Sequence, residues 1–208
     1  YTTYEARLRE LMRQGTHFAR WGSVSSESSG ATIGSDNLGA GRLVGEHLLA
    51  EGRRRVAFIG HADGHYPEFA HRYDGLCEVL RGAGIEPDPA LQRDAITTEE
   101  AGLSATRDLI ASGAQFDAIF AGSDLIAIGA MRALAEAGLA VPGDVAVVGF
   151  DDIPSASLTS PPLTTIQQDT RGAGERLVET LLAQIEGEDL PPARLPTRLI
   201  VRGSSTAS

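Results

Sequence analysis

Residues 141–152 are VPGDVAVVGFDD, and they are the strongest indication of the fold in the chain. The centre of this stretch, Val145–Phe150, is a short apolar run without the alternation that marks a strand with one face in water. Such runs are typical of strands buried on both faces, as in a parallel sheet. Turn-forming residues 142–144 precede the run, and two carboxylates, Asp151 and Asp152, follow it. The stretch therefore predicts a buried parallel strand with polar side chains at its carboxyl end.

Similar runs and amphipathic helices alternate on either side of this stretch. We expect further strands at His17–Arg20, Val56–Ile59, Asp117–Ala121, Leu163–Ile166 and Leu199–Val201. Helices are expected at Leu8–Gly15 with Leu11 and Met12, at Leu38–Leu49 behind a capping Asp36, at Arg72–Arg81, at Leu103–Ile110 behind a Thr97–Glu100 capping box, at Ile128–Ala135 opened by Asp124, and at Leu177–Ile185. Ser23–Ser29 is expected to be a loop. The alternation predicts βαβ units, and hence an α/β fold with helices on both faces of a parallel sheet.

Composition narrows the class of protein. The chain has 208 residues and a net charge of −10, so it repels phosphate backbones and is not expected to grip DNA by itself. The basic run Arg53–Arg55 is interpreted as a helix C-terminus, where cations are favoured. A single cysteine, Cys77, excludes an intrachain disulfide, fits a reducing cytoplasm and is expected to be buried. No stretch has the pattern of a signal peptide or a membrane span.

The residues that follow the strands are the candidates for chemistry, because ligands of parallel sheets bind beyond the carboxyl ends of the strands. Arg72 offers a planar fork for a carboxylate or vicinal hydroxyls, unless it forms only a surface ion pair. Asp151 is predicted to accept hydrogen bonds from ligand hydroxyls, and Asp152 to cap the following turn. We expect Asp124 to cap its helix and Ser123 to face the ligand.

Four other patterns have two interpretations each. Trp21, the only tryptophan, either packs in the core or stacks on a sugar ring. The histidines at 61, 65 and 71 cluster near one strand end but lack the spacing of a zinc site. Glycines at 39, 41 and 45 resemble a dinucleotide motif only faintly, and close helix packing is the better interpretation. Asp151 and Glu68 could act as the paired carboxylates of a sugar hydrolase, which no second motif supports.

Several stretches together resemble LacI-family transcriptional regulators. The most distinctive are residues 141–152 and SPPLTTI at 160–166. SDLIAIGA at 123–130 is similar to the family's Asn-Asp-x-x-Ala-x-Gly stretch, and RYDG at 72–75 to its Arg-x-x-Gly step. Asp36-Asn37 with Gly41, RVAFIG at 55–60 and LIVRGS at 199–204 extend the resemblance over nearly the whole chain.

The resemblance implies two Rossmann-like lobes with parallel sheets, the periplasmic-binding-protein-like type I architecture, with effector in the cleft between them. The first lobe would hold residues 1–34 and 170–196, and the second residues 35–168 and 198–208. Because the chain begins at Tyr1, we expect the helix-turn-helix head and the opening part of the first lobe to lie outside it.

The resemblance also implies the site and the function. The ligand-binding residues would be Trp21, Tyr66, Glu68, Arg72, Ser123, Asp151 and Gln168, with Ser123 standing where many members have asparagine. The ligand would be a small polar effector, most simply a sugar, bound without cofactor, metal or catalysis. A cytoplasmic homodimer would then control operator DNA through the missing head, with no membrane partner. The alternative is the periplasmic-type sugar-binding protein of a transporter.

Overall fold

The computed structural model describes residues 7–8, 10–11, 13–24, 28, 31–63 and 65–206. Two sequence predictions fall partly on other residues. Met12 of the predicted first helix, and residues 25–27 and 29 of the predicted serine-rich loop, lie outside the described ranges. Of that first helix, residues 7, 8, 10, 11 and 13 are helical, and Gly15 follows with a φ of 80°.

Strands and helices alternate along the chain, as the sequence predicts. The strands are β1 (Arg20–Trp21), β2 (Thr32–Ser35), β3 (Val56–Ile59), β4 (Gln92–Arg93), β5 (Ala118–Ala121), β6 (Ala146–Asp151), β7 (Thr164–Gln168), β8 (Ala193–Leu195) and β9 (Thr197–Ile200). The helices after β2 are α1 (Asn37–Ala50), α2 (Pro67–Gly82), α3 (Glu99–Ala111), α4 (Asp124–Glu136) and α5 (Thr170–Ile185). Two 3₁₀ turns lie at Pro89–Leu91 and Pro154–Leu158.

The chain divides into two compact units. The small unit comprises the described residues of Tyr1–Asp36 and Gln168–Thr197, and the large unit comprises Asn37–Gln167 and the described residues of Arg198–Ser208. The small unit contains a sheet of order β1-β2-β8, whose two strand pairs are parallel. The large unit contains a sheet of order β4-β3-β5-β6-β7-β9, in which β4 to β7 pair in parallel.

The core of the large unit lies on both faces of its sheet. Alternate residues of a strand point to opposite faces, so β5 contributes Ile119 to one apolar cluster and Phe120 to the other. The first cluster includes Leu109 of α3 and Leu134 of α4, and the second includes residues of α1 and α2. The predicted α/β fold, with buried parallel strands between two helical layers, is confirmed.

Several local predictions are wrong in detail. The strand expected at His17–Arg20 begins only at Arg20. The cap of α3 is Thr98 rather than Thr97, because the Thr98 side chain accepts a hydrogen bond from the Ala101 amide at 3.1 Å. The sequence analysis missed β2, β4 and β8 altogether.

Two predictions about single groups are confirmed. Cys77 is buried. The basic run stabilises the end of α1, since Arg54 Nη1 donates to the carbonyl of Leu49, in the last turn of α1, at 2.9 Å.

Candidate ligand-binding site

The carboxyl ends of β3, β5 and β6 meet at one edge of the large sheet. Ile59 pairs with Ala121 in the ladder, and Phe120 pairs with Val148, so the residues that follow these strands are neighbours. Helix α2 begins shortly after β3, at Pro67. This edge therefore gathers side chains from β6 and from the starts of α2 and α4.

Arg72 of α2 is the central cation of this edge, and only 7% of it is exposed. Its Nε donates to Asn37 Oδ1 at 2.8 Å, and its Nη1 donates to the carbonyl of Gly122. The guanidinium carbon lies 3.4 Å from the ring centroid of Phe150 and 4.9 Å from that of Phe69. Two hydrogen bonds and ring stacking fix the plane of the guanidinium, so Arg72 is not the partner of a surface ion pair.

The close approach of α1 and α2 brings Arg72 to this position. A Cβ added at Gly41 would lie 2.1 Å from the carbonyl oxygen of Arg72, and one at Gly75 would lie 2.1 Å from that of Leu38. Only glycine permits such contact between helix backbones. Helix α1 also begins with Asn37, which accepts from Arg72. The packing role predicted for the glycines of α1 is confirmed at Gly41.

Two carboxylates act on the buried cation. Burial lowers the pKa of Arg72 to about 10, while the negative charges of Asp151 and Glu68 raise it. The guanidinium is thus protonated at neutral pH. The edge consequently holds one fixed cation and two carboxylates close enough to act on its charge, a set of groups that can bind a neutral molecule rich in hydroxyl groups.

Asp151 and Asp152 form the turn at the end of β6, with a backbone conformation that is rare for residues with a side chain. Their φ angles are 117° and 54°, both in the positive region that favours glycine. Asp152 Oδ1 accepts from Arg202 Nη2 at 2.7 Å, and Oδ2 accepts from Gln167 Nε2 at 2.7 Å. The prediction that Asp152 caps the following turn is wrong, because this ion pair and hydrogen bond engage its carboxylate.

The predicted roles of Ser123 and Asp124 are reversed for the helix cap. Ser123 is the buried N-cap of α4, and its Oγ accepts from the Ile126 amide at 3.3 Å. Asp124 is also fully buried, but its oxygens accept from Thr165 and from the amide of Ile153. The hydroxyl proton of Ser123 can still be donated, so its contact with ligand stays a prediction.

The remaining candidates lie in two places. Tyr66 precedes α2, is 41% exposed, and stacks on the His61 ring with the centroids 4.3 Å apart. Trp21 and Gln168 belong to the small unit. Trp21 ends β1 and is 42% exposed, so it is not a core residue. Gln168 Oε1 accepts from the Ser35 hydroxyl at 2.6 Å.

Sequence reasoning missed the residues that hold Arg72. Asn37, Phe69 and Phe150 were not singled out, although Phe150 directly precedes Asp151 and Phe69 lies one helical turn before Arg72. The only available signal was spacing, since residues three or four apart share a helix face. The role of Asn37 depends on the approach of two helices, which no local pattern reveals.

Among the described residues, no cluster of three or more His, Cys, Asp and Glu side chains is arranged to hold a metal ion. Within the same ranges, every helix is too short or too polar to cross a bilayer.

Comparison with known proteins places these features in a family. Residues 45–205 match the family described as periplasmic binding protein-like domain. The HTH-type transcriptional regulator CelR of Thermobifida fusca is 39% identical over 172 residues, which are 81% of this chain and 50% of that protein. The chain thus spans about half the length of this curated relative.

Two solved structures have the same fold. The structure of a "transcriptional regulator CelR-cellobiose complex" matches with a TM-score of 0.86 at 34% identity, over 93% of this chain and 60% of that one. A protein assigned to the LacI family of transcriptional regulators, from Sanguibacter keddieii DSM 10542, matches with a TM-score of 0.79 at 36% identity, over 85% of this chain and 67% of that one.

Proposed function

Because the chain belongs to the LacI family and has the periplasmic-binding-protein-like fold of that family, we propose that it is the ligand-sensing core of a transcription regulator. Its ligand is a sugar, which it binds without chemical change. The site lies at the carboxyl edge of the large sheet, around Arg72. Asp151 accepts hydrogen bonds from sugar hydroxyls, while Tyr66, Glu68 and Ser123 line the same edge.

One observation carries this proposal: the buried, stacked guanidinium of Arg72 acts together with the carboxylates of Asp151 and Glu68. A fixed fork of donors facing acceptors matches the alternating donors and acceptors of a polyol. Asp151 and Glu68 together outweigh the single positive charge of Arg72, which disfavours phosphorylated sugars. The similar CelR structure is a complex with cellobiose, which supports a saccharide ligand here as well.

The activity of the whole protein follows from the same premise. The chain is acidic, so DNA contact belongs to a helix-turn-helix head rather than to this core. Ligand binding shifts the population of conformations of the core, and a homodimer transmits that shift to operator DNA. We place this regulator in the cytoplasm.

Two other functions have less support than a regulator core. A solute-binding protein of a transporter would share the fold, but CelR of Thermobifida fusca and the Sanguibacter keddieii protein are transcriptional regulators. A sugar hydrolase would need two carboxyl groups flanking the scissile bond. Incubating the chain with cellobiose and finding glucose would establish catalysis and overturn the binding-only proposal.

Calorimetry with cellobiose, maltose, ribose and glucose tests the proposed site. We expect one sugar to bind, and Asp151→Asn to weaken that binding at least tenfold, because an amide replaces a charged acceptor facing Arg72. Asp189→Asn, an equal charge change at an exposed loop position, serves as the matched control and should leave affinity unchanged. Equal affinities of Asp151→Asn and the parent chain would exclude this site.

The only tryptophan reports on the small unit. If Trp21 stacks on the sugar, the sugar that binds should change the fluorescence of Trp21, and Trp21→Ala should weaken binding. Gln168→Ala tests the second candidate of that unit in the same titration. Unchanged fluorescence together with unchanged affinity would show that Trp21 does not bind the sugar.

A further inference from the structure

Asp124 occupies space that is open because residue 149 is a glycine. It is the first residue of α4 and is fully buried. A Cβ added at Gly149, in the middle of β6, would lie 2.2 Å from Asp124 Oδ1. The ladder pairs Gly149 with Thr165 of β7, and Thr165 Oγ1 donates to Asp124 Oδ1 at 2.6 Å. The carboxylate therefore lies over the β6–β7 ladder, in space that only glycine leaves open.

The other oxygen of Asp124 holds the turn that carries Asp151. The amide of Ile153 donates to Asp124 Oδ2 at 2.9 Å. Ile153 directly follows Asp151 and Asp152, whose positive φ angles cost free energy in residues with a side chain. Such a turn persists only where its surroundings hold it. Asp124 holds this turn by accepting the hydrogen bond from Ile153, and Arg202 holds it through the ion pair with Asp152.

Among the described residues, two carboxylates act on the charge of Asp124. Asp151 at the end of β6 and Asp152 in the turn are the negative charges that act on it, and Asp152 is paired with Arg202 of the C-terminal segment. Strand β7 presents the uncharged hydroxyl of Thr165. Burial raises the pKa of Asp124 to about 6, and the hydrogen bonds from Thr165 and Ile153 lower it in part.

We propose that Asp124 is a positioning residue of the sugar site, which does not touch the sugar but holds the Asp151–Ile153 turn and makes sugar affinity depend on pH. This inference rests on the proposed function and deepens it. An ionised carboxylate forms a charge-assisted hydrogen bond with the Ile153 amide, about twice as strong as the bond to a neutral acid. Protonation weakens this tie, so the turn loosens and Asp151 is held less firmly.

The protonated acid remains compatible with the fold. Its new proton can be donated to Thr165 Oγ1, because a hydroxyl can accept as well as donate. Asp124→Asn can form the same hydrogen bonds as the protonated acid, since the amide nitrogen can donate to Thr165 while the amide oxygen accepts from Ile153. This variant therefore imitates the protonated state at every pH without removing the side chain.

A measurement without ligand tests the tie itself. In ¹⁵N-labelled parent chain, the chemical shift of the Ile153 amide should titrate with a midpoint near pH 6. Asp124→Asn should remove that inflection. An inflection caused by a nearby histidine would instead persist in this variant. Thr165→Val, which deletes one donor to the carboxylate, should move the midpoint to higher pH. An Ile153 amide that does not titrate in the parent chain overturns the proposal.

Calorimetry with cellobiose between pH 5.0 and 7.5 tests the consequence for binding. Affinity should fall several-fold as the pH drops below about 6 in the parent chain. Asp124→Asn should show the weaker, low-pH affinity throughout, and Asp124→Ala should bind at least another threefold more weakly. Asp189→Asn should retain the pH profile of the parent chain.

The two levels of the proposal fail separately. A profile of Asp124→Asn that matches the parent chain would show that Asp124 does not position the site. If neither cellobiose nor any other sugar of the panel binds at any pH, the proposed function fails, and the Ile153 titration alone decides whether Asp124 holds the turn.

Discussion

At the scale of the single residue, Arg72 shows how a buried charge becomes useful. Its Nε and Nη1 are bonded to Asn37 and to the Gly122 carbonyl, and its plane is held against Phe150. A surface arginine loses side-chain entropy when it binds a ligand, whereas this one loses that entropy when the protein folds. The proposed site is thus organised before a ligand binds.

Arg72→Lys should demonstrate that the planar fork matters. One ammonium cannot donate to both Asn37 and Gly122 from the arginine positions, and it cannot stack flat on Phe150. We expect the free energy of unfolding to fall by about 1–3 kcal/mol and sugar affinity to fall at least tenfold. Urea denaturation and calorimetry measure the two effects. Arg171→Lys, in an exposed pair with Glu175, should change neither; a silent Arg72→Lys would contradict the assigned role.

Asp124 also gives a prediction about stability. Because burial raises its pKa to about 6, the folded chain holds this proton more tightly than the unfolded chain. The contribution of Asp124 to stability is therefore complete below about pH 4 and is lost as the pH rises through about 6. Relative to Asp124→Asn, the parent chain should lose roughly 2–3 kcal/mol over that window. Urea denaturation at a series of pH values measures it, and parallel curves for the two proteins would refute it.

At the scale of the element, glycines permit the close approach of the paired helices. Gly41 and Gly75 let α1 approach α2, and Gly102 and Gly129 do the same for α3 and α4. In the second pair, a Cβ at Gly129 would lie 2.0 Å from the carbonyl oxygen of Glu99. Each face of the sheet is thus covered by one closely packed helix pair. The close approach of α1 and α2 determines the position of Arg72 in the proposed site.

Gly41→Ala should separate the first helix pair. The new methyl would lie 2.1 Å from the Arg72 carbonyl oxygen, a backbone atom that cannot rotate away. Overpacking of this kind costs about 1–3 kcal/mol, and sugar affinity should fall as well, because the Arg72 backbone moves. Gly174→Ala in α5 is the matched control, since a Cβ added at Gly174 would meet nothing within 4 Å. The free energy of unfolding of this variant should rise by up to about 1 kcal/mol, because alanine has the higher helix propensity. Equal stability of both variants would contradict this packing.

The elements also show what a sequence can and cannot predict. Val56–Ile59 was predicted to the residue because a fully buried strand is apolar throughout. Strands β4 and β8 have two and three residues, too few for any periodicity, and their pairing partners are distant in the chain. Ser123 and Asp124 are both good capping residues. The sequence predicts the wrong one of them as the cap, because Asp124 is bonded to Thr165 and Ile153, which are distant in the chain.

At the scale of the whole molecule, the two units differ in how their strands are protected. β5 and β6 lie in the interior of a six-stranded sheet and are buried along almost their entire length. β8 lies at the edge of a three-stranded sheet and is only partly buried. Local opening requires less free energy where few buried apolar contacts hold a strand.

Hydrogen exchange should reflect this difference. We expect the amides of β5 and β6 to exchange at the slowest rates in the chain and those of β8 to exchange much faster. Mass spectrometry of peptic peptides after timed labelling resolves the two regions. Protection of residues 193–195 equal to that of residues 146–151 would show that the small unit is as stable as the large one.

The glycine beneath the Asp124 carboxylate has a consequence for sequence variation. Positions 124 and 149 compete for one volume, because a Cβ at position 149 would lie 2.2 Å from Asp124 Oδ1, which the hydrogen bond from Thr165 holds in place. In a library randomised at both positions, functional clones should pair a small residue at one with a larger residue at the other. Evolution can then exchange this glycine only together with the aspartate twenty-five positions earlier, although neither residue is expected to touch the sugar.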